Sequence, residues 1–217
     1  NLYWDINVIG SAYIDVMIMK GLNFRSTLGG TWYNGYGVTY NFATYENSEN
    51  SLTPTLNENA YFGGQYVWTN TVTFDKQFGQ HKILALAGYE AVKYGMGRDM
   101  SATKAGYYSD AVDFRTLSNG ANFQYMGSNY YTPTTLVSTF LKADYGFRDR
   151  YFLSATIRRD GSSRFGKDNR YGIFPSFSAA WRIGDEAFLD ALTWVSDLKI
   201  RGSYGTMGNQ LAISPQN

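Results

Sequence analysis

The sequence predicts an all-β protein, an antiparallel up-and-down segment of a transmembrane β-barrel. Three observations predict it. Successive segments alternate with period two between an apolar face and a hydroxylic or charged face, which is the pattern of a strand with two different environments. Those segments are joined alternately by short turns and long polar loops, the asymmetry of an outer-membrane barrel with short periplasmic turns and long extracellular loops. No apolar run approaches the roughly 18 residues of a membrane helix. A barrel needs only alternate residues to face lipid, so a mean hydropathy of −0.34 is compatible with it.

In chain order, residues 7–18 place Ala12, Ile14, Val16 and Ile18 opposite Ser11, Tyr13, Asp15 and Met17. Met19-Lys20-Gly21 is a turn signal. A second strand sets Leu22, Phe24, Leu28 and Trp32 against Asn23, Arg25, Thr27 and Thr31. Residues 34–64 read as a polar loop. Strand signals return over Tyr66–Phe74, with Trp68, Val72 and Phe74 opposite Val67, Thr69, Thr71 and Thr73, and with Asn70 misplaced on the apolar side. Asp75–Lys82 reads as a compact turn near Gln77. Ile83–Tyr94 carries apolar residues on both faces, so alternation assigns it no facing.

A second long loop, 96–132, is rich in Gly, Ser, Asn and Tyr. The strand at 134–147 places Leu141, Ala143, Tyr145 and Phe147 outward and Ser138, Lys142, Asp144 and Gly146 inward. After the turn Arg148-Asp149-Arg150 comes the stretch on which the chain is organised, Tyr151–Ile183. Its first limb sets Leu153, Ala155 and Ile157 against Ser154, Thr156 and Arg158. Its second sets Pro175, Phe177, Ala179, Trp181 and Ile183 against Ser176, Ser178, Ala180 and Arg182. Gly184–Asp197 has helical spacing at Phe188, Leu189, Leu192 and Val195, with its turn near Ala187. A last strand, Leu198–Tyr204, points Lys199, Arg201 and Ser203 inward. That makes about eight strands.

Several chemistries are set aside by composition. Cysteine is absent, which removes disulfides and thiolate metal sites. A formal charge of +1 gives nucleic-acid binding no electrostatic support. His81 is the only histidine and sits in a polar turn beside Lys82, too little for a triad or a metal site. The reading is therefore of no enzyme, no cofactor and no metal.

Arg158, Arg159, Asp160 and Arg164 form the densest charge cluster, and a solvated loop with Asp160 paired to an arginine accounts for it better than an anion site. Trp32, Trp68 and Trp181, near strand ends, fit interfacial girdles. Tyr125, Tyr130 and Tyr131, clustered in a long loop, are the candidate substrate-binding residues. Stacking on sugar rings or peptide side chains and a plain loop role both stay open for them.

Three blocks, ATIRRDGSSRFG, GIFPSFSAAWRI and LKIRGSYGTMGNQ, occur in this order. Together they resemble the C-terminal barrel of SusC/RagA-type TonB-dependent outer-membrane transporters. The residues that carry the likeness are Arg158, Arg159, Asp160, Gly161, Ser162, Ser163, Arg164, Phe165 and Gly166, then Pro175 and Trp181, then Gly208 and Asn209. The resemblance implies a wall segment, residues 1–217, of a barrel of about 22 strands. It also implies uptake of oligosaccharides or peptides, a place in the bacterial outer membrane among its lipids, and a SusD-like surface lipoprotein as lid. TonB would act through an N-terminal part. Plug domain, TonB box and signal peptide are not recognisable here, so a piece of a longer transporter chain is expected. The alternatives are a self-standing small outer-membrane barrel of structural or adhesive type and a soluble carbohydrate-binding sandwich.

Overall fold

The structure is a computed structural model that describes residues 1–45, 51–189 and 197–209. It contains one sheet of nine strands. The strands are β1 (Leu2–Met19), β2 (Leu22–Asn41), β3 (Thr55–Phe78), β4 (His81–Ala105), β5 (Asn122–Tyr130), β6 (Thr134–Phe147), β7 (Tyr151–Ser162), β8 (Tyr171–Arg182) and β9 (Lys199–Gly205). Their order is β1-β2-β3-β4-β6-β7-β8-β9, with β5 paired to β4. Two- and three-residue turns pair β1 with β2, β3 with β4 and β6 with β7, whereas β5, three residues before β6, pairs with β4 and leaves β6 to pair with β4 as well. Among the described residues, β1 and β9 each have one partner strand, so the sheet does not close on itself.

The chain divides into two compact units. One comprises Asn1–Gly10, Gly30–Tyr66 and Tyr94–Pro133, and the other Ser11–Gly29, Val67–Lys93 and Thr134–Asn217. The first unit holds a small core of Tyr40, Leu56 and Tyr107, against which Val38 and Leu117 pack. There the Tyr40 hydroxyl donates to Asp110 at 2.6 Å. Burial first, and then that bond, push its pKa up to about 12.

The second unit has no comparable apolar core among the described residues. Its buried side chains are Thr134, Ser138 and Ser162, whereas Leu141 and Phe177 are each 58% exposed. Water would penalise that arrangement, since burying apolar area is the main drive to fold in water. Hydrocarbon around the apolar face removes the penalty.

The strands run further than the sequence pattern indicates. The polar loop read at 34–64 is in fact strand up to Asn41 and again from Thr55, and the loop read at 96–132 includes the end of β4 and all of β5. Alternation fails as a signal there because both faces of these extensions carry polar residues, while backbone pairing continues regardless. The turn read at Asp75–Lys82 shrinks to Gly79-Gln80. Two short 3₁₀ turns, Ile183–Asp185 and Ala187–Leu189, replace the start of the expected helix. Leu192 and Val195 lie outside the described residues.

The hairpin at the centre is regular. Register runs without a shift from Phe147↔Tyr151 to Leu136↔Ser162 between β6 and β7, and from Tyr151↔Trp181 to Gly161↔Tyr171 between β7 and β8. The turn joining β6 to β7 holds Arg148 and Asp149 at φ 54° and 55°, left-handed values that cost non-glycine residues about 1–2 kcal/mol each. Contacts offset this: Arg148 Nε donates to Gln80 at 2.7 Å and Lys82 pairs with Asp149 at 2.7 Å.

Register makes a direct test available. Lys142 lies opposite Thr156, and directly opposed Cα atoms sit about 4.5–5.5 Å apart, within disulfide range. The double variant Lys142→Cys/Thr156→Cys is expected to cross-link on oxidation. Lys142→Cys/Ser154→Cys, offset by two residues and about 7–8 Å apart, is not. Equal cross-linking of both pairs contradicts the register.

Candidate functional site

Alternation sorts each strand of the hairpin into two faces, and hydrogen bonds identify the hydrated one. Arg158 on β7 donates through Nε to Asp160 at 2.7 Å, and through Nη2 to Glu90 at 3.1 Å and to Ser138 at 2.8 Å. Glu90 also accepts from Thr69 at 3.2 Å. One cluster therefore ties β3, β4, β6 and β7 together on one face. It settles the facing of β4, which the sequence left unassigned: Glu90, Gly88, Leu86 and Leu84 share the inner face, and Ile83, Ala85, Ala87 and Tyr89 the outer. Gly88 is needed there because the Phe140 ring lies where its Cβ would be. Arg158 covers the other part of that ring, 5.4 Å from its centroid.

Farther along the same face, Asp144 accepts from Ser154 at 2.5 Å and pairs with Lys142 at 2.8 Å. Arg25 pairs with Asp15, and Arg182 with Asp185 at 3.5 Å. Lys199 sits 4.8 Å over the Phe152 ring, with Arg182 5.9 Å from it. The inner set, mostly cationic by sequence, is thus largely neutralised by carboxylates, Glu90 among them, whose position no periodicity indicates. These pairs are partly exposed, so each is worth about 0–1 kcal/mol. They build a hydrated, polar wall more than they stabilise it.

The opposite face is apolar and edged by aromatic residues. At the short-turn end Tyr151 stacks on Trp181 with centroids 6.2 Å apart, and Phe147 stacks on Tyr151 at 6.2 Å. Glu186 gathers this end, accepting from the Tyr151 hydroxyl at 2.6 Å, Trp181 Nε1 at 3.0 Å and Arg150 at 3.3 Å. These bonds, the one from Tyr151 foremost, hold the Glu186 carboxyl below its usual range. Ten residues from Trp181, Tyr171 lies under Arg159, whose guanidinium is 4.1 Å from the ring centroid. Trp68 meets Tyr89 edge to face at 6.1 Å. Ten residues rising about 3.3 Å each at a tilt near 40° span about 25 Å, the height of the apolar band of a membrane barrel. Trp68 and Trp181 thus lie at the two ends of that span, on the apolar face. Trp32 stacks on Phe62 at 5.8 Å in the other unit.

Five of the residues that carry the family likeness converge in space. Asp160, Ser162, Phe165, Gly208 and Asn209 line one pocket of about 250 Å³, together with Phe174, whose ring lies against Gly172 and Gly208. Ser163 exchanges two hydrogen bonds with Thr135, both 2.9 Å. The Ser162 hydroxyl accepts from the Arg164 backbone at 3.2 Å. Gly161 lies against the Tyr171 ring, and Gly166 opens the 3₁₀ turn Lys167–Asn169. Pro175 offers its carbonyl to Thr206 at 3.1 Å. Arg158 and Arg159 point to opposite faces, one into the polar cluster and one over Tyr171.

Tyr125 and Tyr130 sit on opposite faces of β5, and Tyr131 just beyond its end. Arg98 stacks on Tyr130 at 4.7 Å and donates to its hydroxyl at 3.3 Å. Among the described residues no cluster of His, Cys, Asp and Glu is suited to a metal.

Two expectations follow. Ala155→Arg puts a guanidinium into hydrocarbon at a cost of about 2–4 kcal/mol near mid-membrane, whereas Thr156→Arg adds a cation to a hydrated wall. Folding yield into lipid vesicles should fall clearly for the first and stay near the parent for the second, and equal tolerance contradicts the facing. Glu186 has a lowered folded pKa. Its contribution to stability is full above the ordinary carboxylate value of 4.5 and is lost as pH falls through the lower folded value. Glu186→Gln should therefore flatten the decline in melting temperature below pH 4.5, and an unchanged decline contradicts the role given to Glu186.

The family described as "TonB dependent receptor-like, beta-barrel" matches residues 6–212. TonB-dependent receptor P26 of Formosa agariphila is 33% identical over 96% of this chain, which spans 21% of that protein. TonB-dependent receptor SusC of Bacteroides thetaiotaomicron is 48% identical over 37% of the chain, or 8% of its own length. Among solved structures, the RagAB peptide transporter superposes with a TM-score of 0.85 at 25% identity, over 96% of this chain and 23% of its own. The RagAB peptide importer in its open-open state gives 0.87 at 25% identity, covering 95% of this chain and 22% of its own. The chain thus spans about a fifth of these relatives and neighbours or less. A sheet with one lipid face, one hydrated face and this match over nearly its whole length makes the chain a member of the TonB-dependent receptor family, an outer-membrane β-barrel segment of the SusC/RagA type.

Proposed function

We propose that residues 1–217 are part of the barrel wall of a TonB-dependent nutrient importer that takes up oligosaccharides or peptides across the outer membrane. The observation that carries this reading is the hydrated inner face, where Arg158, Glu90, Asp160, Ser138 and Thr69 form one polar cluster. Side chains that neutralise one another leave a wettable wall past which a polar solute moves without a deep trap. Bond-making chemistry has no support in this arrangement, so the activity is passage rather than catalysis.

In this reading the rest of the transporter chain completes the barrel, and TonB supplies energy through an N-terminal part. A SusD-like lipoprotein covers the mouth, as the resemblance to SusC/RagA-type transporters implies. The motif pocket around Phe174 then locks the β7–β8 loop to the segment after β9, setting the shape of the rim, and Tyr125, Tyr130 and Tyr131 supply aromatic contacts for cargo.

The test uses the complete gene in its host. Disrupting it should abolish depletion of a defined peptide or oligosaccharide mixture from the medium, followed by mass spectrometry, and full-length protein should restore it. Depletion that persists after disruption contradicts the importer reading.

A further inference from the structure

The outer face of the hairpin sheet carries two adjoining crevices of about 580 and 600 Å³. They share Val72, Ala87, Leu141 and Ile157 as lining, so they form one groove across β3, β4, β6 and β7. The lower part is walled by Phe74 and Phe177. The upper part ends at Asn70 and Arg159, two polar side chains on a face that is otherwise apolar.

Neither polar group is paired with a polar side chain among the described residues. The Asn70 amide has no hydrogen-bond partner among the described residues, and Arg159 has no carboxylate within ion-pair distance among them. Arg159 instead rests on the Tyr171 ring at the aromatic edge of the apolar band. A guanidinium at that edge lies at the level of lipid phosphates, which attract it. From Arg159 to Ala155, level with Phe177, is four residues, or about 13 Å of strand and about 10 Å of depth at a tilt near 40°. That covers most of one hydrocarbon leaflet, which is about 15 Å deep.

We infer that this groove is a binding site for an anionic membrane lipid, its phosphate headgroup held by Arg159 and Asn70 and one acyl chain lying between Phe74 and Phe177. A protein partner would require a complementary ridge. A lipid chain is already present at this face, adapts to the groove, and brings the negative charge to the right depth. Such a lipid acts as a fixed part of the wall, filling a defect in its surface where β4 and β6 meet.

The experiment uses the full-length receptor, purified and delipidated, then titrated with phosphatidylglycerol or phosphatidylcholine of identical chains and observed by native mass spectrometry. The parent should retain phosphatidylglycerol preferentially. Arg159→Gln should lower that preference about fivefold, the scale of one basic residue at an anionic surface. Ala87→Leu, which fills the groove where its two parts meet, should reduce retention of both lipids. Heat-modifiable gel migration checks that each variant is folded, and a photo-cross-linking residue at position 155 reports the occupant in cells. Equal lipid retention in all three proteins overturns the inference. So does full protection by sn-glycerol 3-phosphate, which would mark a free-phosphate site, or capture of a protein instead of lipid at position 155.

Discussion

A backbone placed in hydrocarbon must satisfy every amide and carbonyl within the protein, because no water is available to do it. This requirement governs most of what the chain does. It makes the strands long, keeps every strand of the band paired and forbids irregular backbone within the apolar band. The unbroken register from Phe147↔Tyr151 to Leu136↔Ser162, continued through β8, is its local expression. Once the ladder is fixed, period two decides the rest, and each side chain falls either toward lipid or toward the hydrated side. Ser138 is buried while Leu153 is 57% exposed, as expected where the apolar side faces lipid.

The polar cluster on the inner face is the counterpart of a soluble protein's core. Arg158 reaches Glu90, Asp160 and Ser138, and Glu90 reaches Thr69, so four strands are joined by side chains as well as by backbone. Partial exposure keeps each bond weak. The aromatic edges act at the other boundary. Glu186 collects Tyr151, Trp181 and Arg150 at the short-turn end, which fixes where the sheet leaves the apolar band.

Much of this was legible in the residues. Ala155 beside Thr156, and Lys142 opposite Thr156, follow from alternation and a tight turn. The facings of β1, β2, β6, β7, β8 and β9 follow in the same way. Legibility ended where the two environments stop differing. Past the apolar band both sides of β2, β3 and β4 are wet, so their extensions and β5 look like polar loop. Within the band, β4 offers Leu84 and Leu86 on one face and Ile83 and Ala87 on the other, and only the Glu90–Arg158 contact breaks the tie. The pocket around Phe174 was hidden for another reason. Its lining comes from blocks far apart in sequence, and nothing local states that Gly208 meets a ring from β8.

The central claim is that one face of this wall is in lipid and the other in water, with period two along β7. It is tested most directly by spin labels placed one at a time at positions 153 to 158 of the full-length protein in lipid vesicles. Collision with oxygen, which concentrates in hydrocarbon, should be high at 153, 155 and 157, and collision with a water-soluble nickel chelate high at 154, 156 and 158. A profile with no alternation, or one in which the chelate reaches every position equally, would contradict the account.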